Sequence, residues 1–170
     1  MTETKRFHRA FGVYGICYQE GKLLVISKNG GPYINRYDLP GGSLEDGEPL
    51  LHALKREFHE ETGFDIAVEK NIGVCDFMLP WQWKTFTDVH HIAVFYLVNI
   101  IGGTLSTPKI FEGQDSDGAL WISEEEATID TASPLVLAAF AWLRKGELDL
   151  NVIKYDSWKI KREAASPLKE

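Results

Sequence analysis

Residues 42–64 read Gly-Ser-Leu-Glu-Asp-Gly-Glu-Pro-Leu-Leu-His-Ala-Leu-Lys-Arg-Glu-Phe-His-Glu-Glu-Thr-Gly-Phe. Pro49 stands where a first helical residue belongs, and Gly63 stands where a helix ends on a left-handed glycine. Between them Leu50, Leu51, Leu54 and Phe58 project to about 0°, 100°, 40° and 80° on a helical wheel, one apolar stripe. Glu57, Glu60 and Glu61 fall at about 340°, 280° and 20°, so three carboxylates share one side and Glu61 intrudes on the apolar arc.

That placement is locally unfavourable. Glu57 and Glu61 are a like-charge i,i+4 pair, costing ~0.2–0.5 kcal/mol. All three acids also crowd the negative end of the helix dipole. Several local rules broken together mark a functional site more often than a structural one. Hard carboxylate oxygens gathered this way suit a divalent cation such as Mg²⁺ or Mn²⁺. The plain alternative is an acidic face neutralised by Lys55 and Arg56.

The spacing is G-x5-E-x7-R-E-Φ-x-E-E-x-G-Φ, with Φ bulky and apolar. This resembles the Nudix box of the Nudix hydrolases over the 23 residues from Gly42 to Phe64. Phe58 and Phe64 fill positions where relatives more often carry Ile, Leu or Val. The resemblance implies an α/β/α sandwich with a mixed β-sheet between helices. It implies Glu57, Glu60 and Glu61 as metal ligands, and a backbone carbonyl of Gly41 or Gly42 beside them. It gives Arg56 and Glu48 supporting roles, with Arg56 orienting a ligating glutamate. Glu60 is the first candidate for the general base, and Glu112, in an Asp/Glu-rich loop, is the second. Upstream, Tyr37-Asp-Leu-Pro-Gly-Gly42 reads as a tight turn with no side chain to block a metal or phosphate.

Composition sets limits. The 170 residues suffice for one domain with a sizeable core, and no repeat or linker divides them. The net charge of −7 argues against a sequence-independent nucleic-acid binder. It also means that a polyphosphate would be repelled unless cations bridge it to the protein. Cys17 and Cys75 form no C-x-x-C pair and read as small buried hydrophobes, which fits a reducing cytoplasm. The longest apolar run, around residues 92–101, is too short to span a bilayer.

The remaining chain reads as strands over residues 9–19 and 22–28, hinged at Glu20-Gly21. A strand pair follows over residues 64–78, interrupted near Asn71-Ile72-Gly73, and then a buried strand over residues 89–99. Gly102-Gly103 starts a turn. A short strand covers residues 119–122, and a capping box opens a helix at Ser123. A last helix starts at Ser133-Pro134 and stops at Gly146.

Substrate signals are few. Lys28 and Arg36 flank the loop before the acidic helix and could meet phosphates. Pro80, Trp81 and Trp83 lie in an aromatic stretch that could stack a base or serve as core. In the Nudix family a proline at the spacing of Pro80 is associated with ADP-ribose hydrolysis. His90 and His91 straddle a strand and read as satisfied structural histidines. The expected activity is metal-dependent hydrolysis of a nucleoside diphosphate linked to another moiety, such as a nucleoside triphosphate, ADP-ribose or a nucleotide sugar. The alternative is a Nudix-fold module that binds a nucleotide without turnover. The expected partner is a small-molecule nucleotide, with no nucleic acid and no membrane; a homodimer is left open.

Overall fold

The computed structural model describes residues 3–105 and 116–162. The chain runs through β1 (Phe7–Ile16), β2 (Tyr18–Gln19), β3 (Lys22–Lys28), β4 (Tyr37–Asp38), β5 (Gly41–Gly42) and α1 (Leu50–Thr62). It continues with β6 (Phe64–Trp83), β7 (Phe86–Gly103), β8 (Ser116–Ile122), a 3₁₀ turn (Glu124–Glu126), α2 (Pro134–Lys145) and β9 (Ile153–Lys154).

A mixed sheet, ordered β5-β1-β7-β6-β9, forms the centre. β1 runs parallel to β7, and β7 runs antiparallel to β6. A second sheet is built on β3, which pairs with β2, β4 and β8. Alternating residues of the strands feed two cores. Val13, Val94, Tyr96 and Val98 pack with Ala53, Leu54 and Phe58 of α1. Tyr14, Phe77, Ala93 and Phe95 pack with Leu135, Val136, Ala139 and Phe140 of α2. The two helices therefore cover opposite faces, and the expected α/β/α sandwich is what forms. Among the described residues no helix is long and apolar enough to cross a membrane.

Several local expectations hold. Gly63 ends α1 at φ 81°, with its N–H donating to the His59 carbonyl. Ser133 caps α2, its side chain accepting from Val136 N–H, and Gly146 ends it. The capping box at Ser123 is present, although the turn it opens is 3₁₀. Both cysteines are free and buried.

Others need correction. Pro49 is the N-cap of α1, extended at ψ 153°, rather than its first helical residue. Leu50 and Leu51 are 38% and 45% exposed. The buried face of α1 is made instead by Ala53, Leu54, Phe58, Glu61 and Thr62, because the strands reach only its last three turns. The strand expected over residues 9–19 bends at Cys17, so that β1 and β2 join different sheets. No break occurs near Gly73. β6 is one strand of 20 residues, and the irregularity is absorbed as register shifts at Val68/Lys70 and Asn71/Gly73. Such bulges insert a residue without ending a strand. Gly102 and Gly103 still pair with Asp65 and Phe64 rather than starting a turn.

The corrected stripe on α1 is testable by urea unfolding. Phe58, fully buried between helix and sheet, should lose ~3–5 kcal/mol of stability as Phe58→Ala. Leu50→Ala, on the exposed flank, should stay within ~0.5 kcal/mol of the wild type. Comparable losses in the two variants would contradict this packing.

Candidate active site

The short β5 strand pairs with β1, with Gly41 opposite Tyr14 and Gly42 opposite Val13. A side chain cannot fit at Gly41. Its φ is 144°, and a Cβ there would lie 2.0 Å from the Val13 carbonyl oxygen. A Cβ on Gly42 would lie 3.1 Å from Cδ and Oε1 of Glu57. The two glycines thus bring bare backbone against the carboxylates of α1. The Gly41 N–H donates to Glu61 Oε1 at 3.0 Å, and Glu61 is only 2% exposed. Glu57 is half-buried, and Glu60 is the most exposed of the three.

Arg56 organises the rest. It grips Glu48 with two parallel hydrogen bonds, Nε to Oε2 and Nη2 to Oε1, both 2.7 Å. Its Nη1 reaches Glu57 Oε1 at 3.1 Å and Glu60 Oε2 at 3.3 Å. A planar guanidinium can do this where an ammonium cannot. The hydrogen bonds from Arg56 are the largest cause holding the Glu48 carboxyl down to about 2.

The oxygen donors of Glu57, Glu60 and Glu61 fit a hard divalent cation in their chemistry, and the glycine cradle leaves space for one close to the backbone. Among the described residues, no three acidic, cysteine or histidine side chains already surround one point. Glu57 and Glu60 each meet Arg56 Nη1 through one carboxylate oxygen, Oε1 of Glu57 and Oε2 of Glu60.

Behind the loop lie contacts that the sequence did not reveal. Asp38 Oδ1 accepts from the Leu39 N–H at 2.9 Å and from Ser133 Oγ at 2.7 Å. Tyr37 is also held by the backbone before α2: its carbonyl accepts from the Ser133 N–H and its N–H donates to Thr131 O, both 2.8 Å. The N-terminus of α2 is therefore tied to the glycine loop across 95 residues, a distance that no local pattern signals. His91 lies between the Tyr14 and Tyr33 hydroxyls, 2.9 Å from each. Burial first, then Lys28 and His90, lower it to about 3, so it stays neutral. Burial likewise pushes the Cys17 and Cys75 thiols up to about 11, which leaves no thiolate at neutral pH.

The remaining candidates are placed unevenly. Lys28 ends β3 beside the loop, and its backbone pairs with Asn35 and Arg36. Arg36 is not a surface cation. It is 3% exposed, its Nε and Nη1 donate to the carbonyls of Ile129 and Lys159, and its guanidinium lies 4.4 Å from the centre of the Trp158 ring. A phosphate contact from it does not fit this arrangement. Pro80, Trp81 and Trp83 sit at the far end of the sheet. Pro80 is level with Asp88 and Phe7, whereas Gly41 is level with Tyr14. Seven residues along β1 amount to ~23 Å. The two tryptophans stack on each other, 5.4 Å apart with rings 3° from parallel, and Trp81 packs on the core below α2. The chain does not bring these three residues to the carboxylates. Glu112 lies outside the described residues.

The Glu48–Arg56 pair predicts an acid limb of stability. A carboxyl held below its ordinary value of 4.5 stabilises the fold above that value and ceases to do so as pH falls toward about 2. The difference in melting temperature between wild type and Glu48→Gln should be level above that ordinary value and shrink through this window. A difference that grows on acidification would remove the pair from this role.

A family model for the NUDIX domain matches residues 6–143. An ADP-ribose pyrophosphatase of Methanocaldococcus jannaschii is 34% identical over 98 residues, 58% of this chain and 55% of that protein. A putative 8-oxo-dGTP diphosphatase of Bacillus subtilis is 30% identical over 112 residues, 66% of this chain and 65% of that protein. The chain spans less than two thirds of the length of either relative. A solved NUDIX hydrolase from Nitrosomonas europaea shares the fold with a TM-score of 0.58 at 16% identity, covering 89% of this chain and 82% of its own. A MutT NUDIX hydrolase from Burkholderia pseudomallei gives 0.53 at 25% identity, covering 81% and 98%. With the acidic helix, the glycine cradle and a family match across most of its length, the chain belongs to the Nudix hydrolase family.

Proposed function

We propose that the chain hydrolyses the pyrophosphate bond of a nucleoside diphosphate linked to another moiety, in a reaction that depends on Mg²⁺ or Mn²⁺. The observation that supports this most is the set of Glu57, Glu60 and Glu61 on one side of α1 against the bare backbone of Gly41 and Gly42. The cation would neutralise phosphate charge and lower the pKa of a nearby water.

The residues of the chain divide the remaining work. Glu61, buried and fixed to the Gly41 N–H, and Glu57, lying over Gly42, are the inner cation ligands, with the Gly41 carbonyl beside them. Arg56 keeps the carboxylates from repelling one another before the cation arrives and is itself anchored by Glu48. Glu60, the outermost acid, would take the proton as a water oxygen attacks phosphorus. The bridging P–O bond breaks, its electron pair leaves with the departing phosphate, and a nucleoside monophosphate or a phosphate is released. Glu112 is the alternative acceptor of that proton.

The named relatives are an ADP-ribose pyrophosphatase and a putative 8-oxo-dGTP diphosphatase, and both kinds of substrate have the bond in question. The free, buried cysteines suit a reducing compartment, and we place the reaction in the cytoplasm.

A product screen across ADP-ribose, nucleotide sugars, nucleoside triphosphates and dinucleoside polyphosphates, with Mg²⁺ and with Mn²⁺, tests the proposal. Turnover of at least one class is expected. Glu60→Gln and Glu61→Gln should each lower kcat by ~10²-fold or more, since each loses a charged ligand or base. Wild-type turnover in both variants, or binding without hydrolysis throughout the screen, would contradict it.

A further inference from the structure

The segment after α2 has little regular structure. Ile153 and Lys154 pair briefly with Phe77 and Met78, and the Tyr155 N–H donates to Met78 O at 2.9 Å. Beyond that point the segment crosses the loop of residues 29–36 and makes a series of specific contacts with it. Trp158 Nε1 donates to Pro32 O at 2.7 Å. The Trp158 ring lies edge-on to Tyr33 and Tyr155 and against the Arg36 guanidinium. Arg36 Nη1 donates to Lys159 O at 2.8 Å, and the Asn35 side chain donates to Lys161 O. Lys161 Nζ in turn donates to Asp130 O at 2.7 Å.

These contacts converge on Arg36 and Trp158. A buried guanidinium costs stability unless it is well matched with acceptors, and burial lowers the pKa of Arg36. Arg36 meets that cost by joining three distant segments at one point, residues 129, 159 and its own loop. The loop is also tied to β3, where Lys28 pairs with Asn35 and Arg36, and to His91 through the buried Tyr33 hydroxyl. Ile34 N–H to Gly31 O at 3.3 Å and Arg36 N–H to Tyr33 O at 3.1 Å are turn contacts, and Asn35 takes a positive φ of 62°.

From Arg36 onward there is little slack. Tyr37 and Asp38 pair with Ser27 and Ile26. Asp38 holds the Leu39 N–H, Pro40 O accepts from the Gly15 N–H at 3.0 Å, and the Gly41 N–H meets Glu61. The backbone from Arg36 to Gly41 is thus held at successive residues.

We propose that residues 155–161, acting through Arg36 and Trp158, position the loop that presents Gly41 to the carboxylates. Arg36 and Trp158 are positioning residues for the cation site, and neither touches substrate. The inference rests on the reading of Gly41 as a cation ligand.

Two activity-independent measurements on the full chain test it: the Mn²⁺ concentration giving half of the rise in melting temperature, and hydrogen exchange at the Leu39 and Gly41 amides without metal. Trp158→Ala should raise the Mn²⁺ midpoint roughly three- to tenfold. It should also speed exchange at Leu39 and Gly41 while leaving α1 and β7 protected. Trp158→Phe, which keeps a ring against Arg36, should recover most of the effect. Arg36→Lys keeps the charge but loses the planar fork, and should act like Trp158→Ala if that variant does not fold. A lowered melting temperature with a wild-type Mn²⁺ midpoint and wild-type exchange, in whichever variant folds, overturns the proposal. The full set of shifts in proteins that hydrolyse nothing supports the positioning role and overturns the hydrolase reading instead. Hydrolysis without the shifts does the reverse.

Discussion

The hydrogen bond from the Gly41 N–H to the Glu61 carboxylate, 3.0 Å long and buried, is the joint on which the site is built. It requires a backbone with no side chain on one partner and a carboxylate inside an apolar helix face on the other. Each is unfavourable alone. A residue larger than glycine would strike the Val13 carbonyl, and a charge next to Leu54 and Phe58 is costly to desolvate. Joined, the amide partly solvates the carboxylate, and the carboxylate fixes the loop. Around this contact Glu57 lies over Gly42, and Glu60 sits at the rim.

Arg56 deals with the consequence of crowding acids. Three glutamates in two turns repel one another and oppose the helix dipole. One guanidinium spanning Glu48, Glu57 and Glu60 offsets that repulsion without occupying the space against the glycines. Glu48, before the helix begins, anchors Arg56 through two parallel hydrogen bonds.

What the sequence revealed follows from how far each signal travels. Gly63, Ser133, Pro134 and Gly146 act within one helical turn, and each marks a boundary seen in the structure. The three acids were legible for the same reason, because helical spacing alone places them together. Leu50 and Leu51 misled because a wheel shows which residues share a side but not how far the sheet extends beneath them. Gly73 misled because a glycine in a strand can mark a bulge as readily as an end. Arg36 looked like a surface cation until Lys159 and Trp158, more than 120 residues later, closed over it. The aromatic run at residues 80–83 had the composition of a stacking site, and only the strand register shows that it belongs to the opposite end of the sheet.

The same register explains why one short loop can serve both halves of the sandwich. Residues 38–41 pass between the two cores. At one end Asp38 is hydrogen-bonded to Ser133, the cap of α2; at the other, Gly41 is hydrogen-bonded to Glu61 of α1. Between them Pro40 is fixed to Gly15 in the central strand. Helices on opposite faces of a sheet do not touch each other directly. Here residues 38–41 have hydrogen bonds to both of them. The position of the acidic helix relative to its glycine cradle therefore depends on packing around α2 and on the segment that follows it, well away from the carboxylates themselves.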